Sequence, residues 1–321
     1  MKRSASFWIL LAASPLALML CVLMGPSGFG LPDWATQGDI LRLRLTRVLA
    51  GLAVGASLSC AGVVLQAILR NPLAEPYVLG VSSGAGLGAA AAILTGAAAC
   101  SAFAIPACSF LLAVAALLIV YALANRGGGP SVYGLILSGV IVSSVCSALL
   151  MFLVSVAPIE GMHSVIWWML GNLEVASDAL LFGTVVLAAA GFLGIWLMAR
   201  ELNALTLGRD MAHHVGIRVR SAIVAGLALA TLVTAASVAV AGLIGFVGLV
   251  VPHVVRALVG PDHRRLIPAS ALAGGAFLAV CDAIARTAMR YEIPVGVVTA
   301  LVGGPFFLAL LRRRGGQGWA E

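Results

Sequence analysis

Apolar residues run through this chain in long blocks, separated by short stretches that are polar or broken by Gly and Pro. The blocks fall near 7–25, 47–69, 79–96, 102–124, 131–155, 178–199, 220–241, 243–259, 266–285 and 295–311. At about 1.5 Å per helical residue, each covers most or all of a hydrocarbon layer about 30 Å thick. A segment in lipid must satisfy its own backbone hydrogen bonds, so the blocks predict helices rather than open strands. The expected architecture is all-α, a polytopic membrane protein of about ten transmembrane helices forming a single domain over 1–321. No polar stretch is long enough for a second, soluble unit.

Composition agrees with the pattern. The chain is 62% hydrophobic and 10% charged, with mean hydropathy +1.10, whereas soluble domains carry about 45–50% apolar and about 25% charged residues. Lys2 and Arg3 followed by the apolar run Phe7 to Met24 resemble a signal sequence. That run exceeds the usual apolar region of about 7–15 residues, and no small-x-small cleavage site follows it. Leu18, Met19 and Leu20 are too bulky to precede a lipidated Cys21, so an uncleaved first span is expected.

Charge placement orients the spans. With the amino terminus in the cytoplasm and alternate crossings, fourteen of the 19 Lys and Arg residues lie inside, Arg70, Arg209, Arg218 and Arg264 among them. Five lie outside: Arg42, Arg44, Arg47, Arg286 and Arg290. The asymmetry puts both termini in the cytoplasm and accounts for much of the net charge of +7 without nucleic acid. The outer arginines in ILRLRLTRVLAG have two readings, snorkelling to lipid headgroups or a cationic patch for an acidic partner.

Candidate chemistry is sparse. The six cysteines form no CxxC or Cys/His cluster, so no metal site is expected, and they serve as small hydrophobes. A Cys100–Cys108 disulfide stays open. Adjacent His213 and His214 face different sides of a helix and lack metal-ligand spacing. Gly84, Gly86 and Gly88 do not match GxGxxG, and no GxxxxGK[ST] occurs, so no ATP site is expected in this chain. The abundant Gly and Ala read as close helix-packing surfaces. A faint repeat at an offset of 180 residues pairs Ala56-Ser57, Ala61-Gly62, Pro72 and Gly80 with Ala236-Ser237, Ala241-Gly242, Pro252 and Gly260. It suggests two related halves.

Three segments are more irregular than simple connections need. In RNPLAEPYVLGVSSGAG (70–86), Pro72 and Pro76 push Asn71 and Glu75 out of helix and suit a gate at a cytoplasmic helix end. In RELNALTLGRDMAHHVGIRVR (200–220), a short helix between Gly208 and Gly216 would carry an apolar strip of Leu205, Met211, Ala212 and Val215, fit to dock a cytoplasmic partner or lie on headgroups. AGLIGFVGLVVPHVVRALVGPDHRR (241–265) reads as a broken helix, with His253 after Pro252 in a structural role. Asp282, the most buried-looking acid, has Arg286 four residues on as its expected partner.

At these segments the chain resembles the FecCD-type permeases, the membrane subunits of type II ABC importers for iron-siderophores, haem and cobalamin. RNPLAEPYVLGVSSGAGLG, LGRDMAHHVGI, GLIGFVGLVVPHVVR and IPVGVVTALVGGPFF look like family blocks in order, over about 40–313. The resemblance implies a type II importer permease fold in a bacterial inner membrane and a homodimer with a second copy of this chain. It implies two cytoplasmic ABC ATPase subunits that hold ATP-Mg, a periplasmic substrate-binding protein, and no cofactor on this chain. Leu207, Gly208, Ala212, Val215 and Gly216 match its ATPase-coupling segment (about 201–217), and Asn71 and Leu73 its cytoplasmic gate. Arg44, Arg47 and Arg286 match arginines that receive glutamates of the binding protein. Thr46 stands where the family has proline, and a one-residue shortening before Pro294 brings Arg290 into the same role. The fifth and tenth spans would line the path. Iron-siderophore is the expected cargo, with cobalamin or haem as alternatives. A secondary transporter using Asp282, and a receptor or assembly factor, are the contrasting classes.

Overall fold

The computed structural model describes residues 2–25, 28–30, 38–125, 131–289 and 291–315. Fourteen α-helices occupy most of them: α1 Lys2–Leu23, α2 Gly38–Ile68, α3 Val81–Leu94, α4 Ala97–Cys100, α5 Ala104–Ala124, α6 Val132–Ser155, α7 Ile159–Met169, α8 Asp178–Leu197, α9 Ala199–Thr206, α10 Arg209–His214, α11 Val219–Ala241, α12 Val247–Val259, α13 His263–Thr287 and α14 Val295–Gly315. A 3₁₀ turn, Pro76–Leu79, leads into α3. Two short strands, β1 Met24–Gly25 and β2 Gly28–Phe29, pair antiparallel after α1.

Six helices are long and apolar enough to cross a membrane (α2, α5, α6, α8, α11 and α13), and four shorter apolar runs accompany them in α1, α3, α12 and α14. Six plus four recovers the ten expected spans. Three boundaries differ. α2 begins at Gly38, so Arg42, Arg44 and Arg47 sit on the helix rather than before it. α12 begins only at Val247, leaving 242–246 outside any helix. α7 fills a stretch that hydropathy left as a loop.

α2 is the axis of the bundle. Most of its apolar residues from Ala50 to Ile68 lie in the core cluster with residues of α11, α12 and α13. The contacts are made by backbone against backbone. A Cβ on Gly55 would fall on the Gly274 carbonyl, one on Gly62 on the Gly248 carbonyl, and one on Gly51 would come 3.2 Å from Ala279 Cα. With no hydrophobic drive between helices in lipid, such close approach supplies the dispersion that holds them. Three buried hydroxyls are satisfied within their own helices. Thr184 donates to the Leu180 carbonyl, Thr234 to Ala230 and Ser237 to Val233, each at 2.7 Å.

The positions paired at an offset of 180 are not structurally equivalent. Gly62 lies inside α2, whereas Gly242 ends α11; Pro72 lies in a turn, whereas Pro252 lies inside α12. Cys100 and Cys108 are both free, and among the described residues no His/Cys/Asp/Glu group could hold a metal.

Candidate functional site: an outer charge cluster, an inner turn and a coupling segment

The outer arginines converge because α2 and α13 run side by side. Arg47, one side of α2, faces Asp282 on α13, and Arg286 reaches the same carboxylate from one turn further along. Arg47 Nε and Nη2 donate to Asp282 Oδ1 at 3.3 and 2.9 Å, and Arg286 Nε donates to Oδ2 at 2.8 Å. Arg47 Nη1 also donates to both oxygens of Glu292, at 3.0 and 2.9 Å. Other donors go to carbonyls at the end of α1 and in the short strand pair after it. Arg286 Nη1 meets the Met24 carbonyl at 3.2 Å, and Arg44 Nη1 meets the Val22, Leu23 and Gly30 carbonyls at 3.2, 3.3 and 2.9 Å. A helix leaves its last carbonyls without internal partners and carries partial negative charge there, so guanidiniums are apt caps.

Arg44, Arg47 and Arg286 are each at most 4% exposed: Arg47 and Arg286 are held in a buried ion cluster on Asp282, and Arg44 is held against backbone carbonyls. The pairing of Arg286 with Asp282, one of its two readings, is present. Arg42 is exposed and pairs with Asp178. Arg290 lies outside the described residues.

The inner turn is built from backbone restrictions. Arg70 takes φ +47° after α2, Asn71 Oδ1 accepts from Leu73 N at 2.9 Å, and Asn71 O accepts from Ala74 N at 3.0 Å. That side-chain turn fixes Asn71 and Leu73, the expected gate residues, at half-buried positions. Two neighbours, Glu75 of the same turn and Tyr77, which sequence reasoning left without a role, then reach across to 242–246. Glu75 Oε1 accepts from Phe246 N at 2.6 Å. Tyr77 Oη accepts from Ile244 N and donates to Ile244 O, both at 2.9 Å. The signal available in sequence was an acid and a tyrosine beside two prolines in an apolar chain. Their partners lie about 170 residues away, beyond any local pattern.

The coupling segment is two short helices meeting at an angle. Gly208, at φ +112°, breaks α9 from α10, and Gly216, at φ +83°, ends α10. A side chain at either φ would be strained, which is why the two glycines bracket the unit. The expected apolar strip splits into two faces. Leu205 and Ala212 are buried and anchor the unit, while Leu207, Met211 and Val215 are 66, 52 and 58% exposed. Asn203 on α9 ties the unit to α13: its Nδ2 donates to Asp262 Oδ1 at 2.8 Å, and its Oδ1 accepts from His263 N at 3.0 Å. The Asn203 hydrogen bond holds the Asp262 carboxyl below its ordinary range. The arrangement is a rigid foot presenting a small apolar ridge, suited to receiving a partner's groove.

The remaining exposed apolar surface covers whole helix faces, including Leu137, Ile141, Val145 and Phe152 on α6 and Leu301 and Leu308 on α14. Such faces are expected against lipid or a second copy.

Comparison with known proteins concerns the chain as a whole. The FecCD transport family profile matches residues 9–313. A cobalamin import system permease protein from Halobacterium salinarum is 44% identical over 90% of this chain and 77% of its own length. A hemin transport system permease protein from Yersinia pestis is 37% identical over 85% of the chain and 83% of its length. A vitamin B12 import system permease protein from Escherichia coli is 37% identical over 94% and 92%. A solved inward-facing structure of a metal-chelate type ABC transporter superposes with TM-score 0.85 at 31% identity, covering 95% of this chain and 99% of that one. A complex from Streptococcus pneumoniae, at TM-score 0.62 and 20% identity, shares the fold.

Proposed function

Because this chain belongs to the FecCD transport family, we propose that it is the membrane-spanning permease of an ATP-driven importer whose cargo is a cobalamin-type corrinoid. The observation that carries the reading is the near full-length likeness to cobalamin permeases, at 44 and 37% identity. Haem is the second reading, supported by the likeness to a hemin permease. The iron-siderophore cargo, expected only as the commonest one in the family and not from any motif, is not specifically supported by these relatives.

In this reading the chain is passage and gate. A second copy completes the path between α6 and α14. Two ATPase subunits receive the ridge of Leu207, Met211 and Val215, with Gly208, Ala212 and Gly216 keeping its shape, and ATP-Mg resides on those subunits. Asn71 and Leu73 close the cytoplasmic end, and both termini lie in the cytoplasm. A binding protein delivers cargo at the outer face. If its glutamates are received by Arg44, Arg47, Arg286 or Arg290, the three described arginines must first exchange a present partner, Glu292 being the most exposed of these.

The test is uptake into liposomes holding this chain with its cognate ATPase and binding protein. ATP-dependent accumulation of cyanocobalamin above haemin and a ferric siderophore is expected. Haemin uptake without cobalamin uptake would move the assignment to the second reading, and siderophore uptake alone would overturn both.

A further inference from the structure

The break between α11 and α12 lies deep in the bundle. Gly248, at the start of α12, has its backbone against Gly62 of α2. Gly62 is fifteen residues along α2 from Arg47, or about 22 Å down the axis at 1.5 Å per residue. Ala241, by contrast, ends α11 beside Asn172, whose backbone N–H donates to the Ala241 carbonyl at 2.9 Å. Residues 242–246 therefore descend into the membrane interior as open backbone. Non-helical backbone at that depth persists only where protein satisfies it. Here the turn at 75–77 does most of this: three of the four hydrogen-bonding groups of Ile244 and Phe246 meet Glu75 or Tyr77, and the fourth meets the first turn of α12. Ile244 N–H and C=O bond Tyr77 Oη, Phe246 N–H bonds Glu75, and Phe246 C=O accepts from Val250 N at 2.8 Å, completing all four.

The clasp also holds a strained residue. Phe246 sits at φ +69° and ψ −21°, a region that bulky L-residues rarely enter and that persists only when its surroundings impose it. In this conformation its side chain lies on α14: a Cβ at Gly303 would fall on Phe246 Cβ and Cγ and 2.7 Å from Cδ1.

We propose that Glu75 and Tyr77 are positioning residues that clasp 242–246 unwound, fix Phe246 against Gly303, and so make the inner turn carrying Asn71 and Leu73 move together with α14. The role in transport rests on the importer reading above; the clasp itself does not. A displacement of the inner turn would be passed directly to the helix proposed to line the path, without crossing any flexible linker.

Hydrogen–deuterium exchange of the full chain in nanodiscs tests the clasp without substrate or partners. Tyr77→Phe and Glu75→Ala are expected to raise exchange at 244–250 about tenfold while leaving α2 and α13 unchanged. Glu75→Gln, whose amide oxygen still accepts from Phe246, is expected to exchange like the parent. Unchanged exchange in both disruptive variants, or Glu75→Gln behaving like Glu75→Ala, overturns the clasp. In liposomes with the ATPase and binding protein, the two disruptive variants are expected to lower ATP-driven uptake about fivefold at unchanged assembly. Gly303→Ala should do the same by pushing on Phe246, and Phe246→Gly in that background should restore it. Loosened exchange with uptake intact in all three would overturn the positioning role. Absence of uptake by the parent chain would fall on the importer reading and leave the exchange result to decide the clasp.

Discussion

Asp282 shows how one buried acid organises an end of the molecule. Its two oxygens draw Arg47 from α2 and Arg286 from its own helix, and those guanidiniums reach on to Glu292 and to the carbonyls of Cys21 in α1 and Met24 just after it. Removing one partner from a buried ion group leaves the others desolvated and unpaired. Asp282→Ala is therefore expected to cost about 3–5 kcal/mol, read as a large drop in thermal unfolding temperature in detergent; a change within error would mean the arginines find water. The Asp282–Arg286 half of this cluster was legible, because i,i+4 spacing puts the two on one helix face. The Arg47 half was not, since 235 residues separate the partners and the same arginine equally suited a surface patch. In this fold Arg47 is buried against Asp282, and hydropathy carries no information about which side of a helix meets protein rather than lipid.

Elements were the most legible level, for a physical reason: lipid tolerates only long self-satisfied apolar segments, so composition alone nearly dictates them. The exceptions are instructive. α7, IEGMHSVIWWM, is too short to span and mixes Glu160, His163 and Ser164 among its apolar residues, so a span search passes over it. The start of α12 was placed four residues early because GLIGF is apolar whether helical or not. What decides it is Tyr77 and Glu75, which offer the backbone an alternative to helical bonds. The Gly and Ala content foretold close packing but not its partners. Gly274, inserted against Ser59 and the Gly55 carbonyl, is where α2 and α13 approach. Gly274→Leu is expected to destabilise by about 1–3 kcal/mol or more through overpacking, seen as lower thermal stability and poor recovery as a single species on gel filtration. Normal behaviour would mean that the helices can separate freely there.

At the scale of the whole molecule, surface rather than core carries the functional argument. The foot formed by α9 and α10 presents Leu207, Met211 and Val215 on two anchors, Leu205 and Ala212, that are nearly inaccessible. Met211→Asp with Val215→Asp is expected to lower ATPase copurification at least about tenfold, since burying an unpaired charge at a contact costs several kcal/mol, while gel filtration of the chain itself stays normal. Retained ATPase would remove the ridge from the contact. Sequence by itself determined the class of solvent, the number of crossings, the absence of a nucleotide motif and the family blocks, because these depend on composition, local spacing and short contiguous motifs. It could not determine that the expected docking arginines are folded inward on Asp282 and the end of α1, that the apolar strip of the foot divides into an anchored and an exposed face, or that the inner turn fastens the unwound stretch before α12. Each of those depends on which surfaces meet across long separations in the chain, and only the packed bundle brings them together.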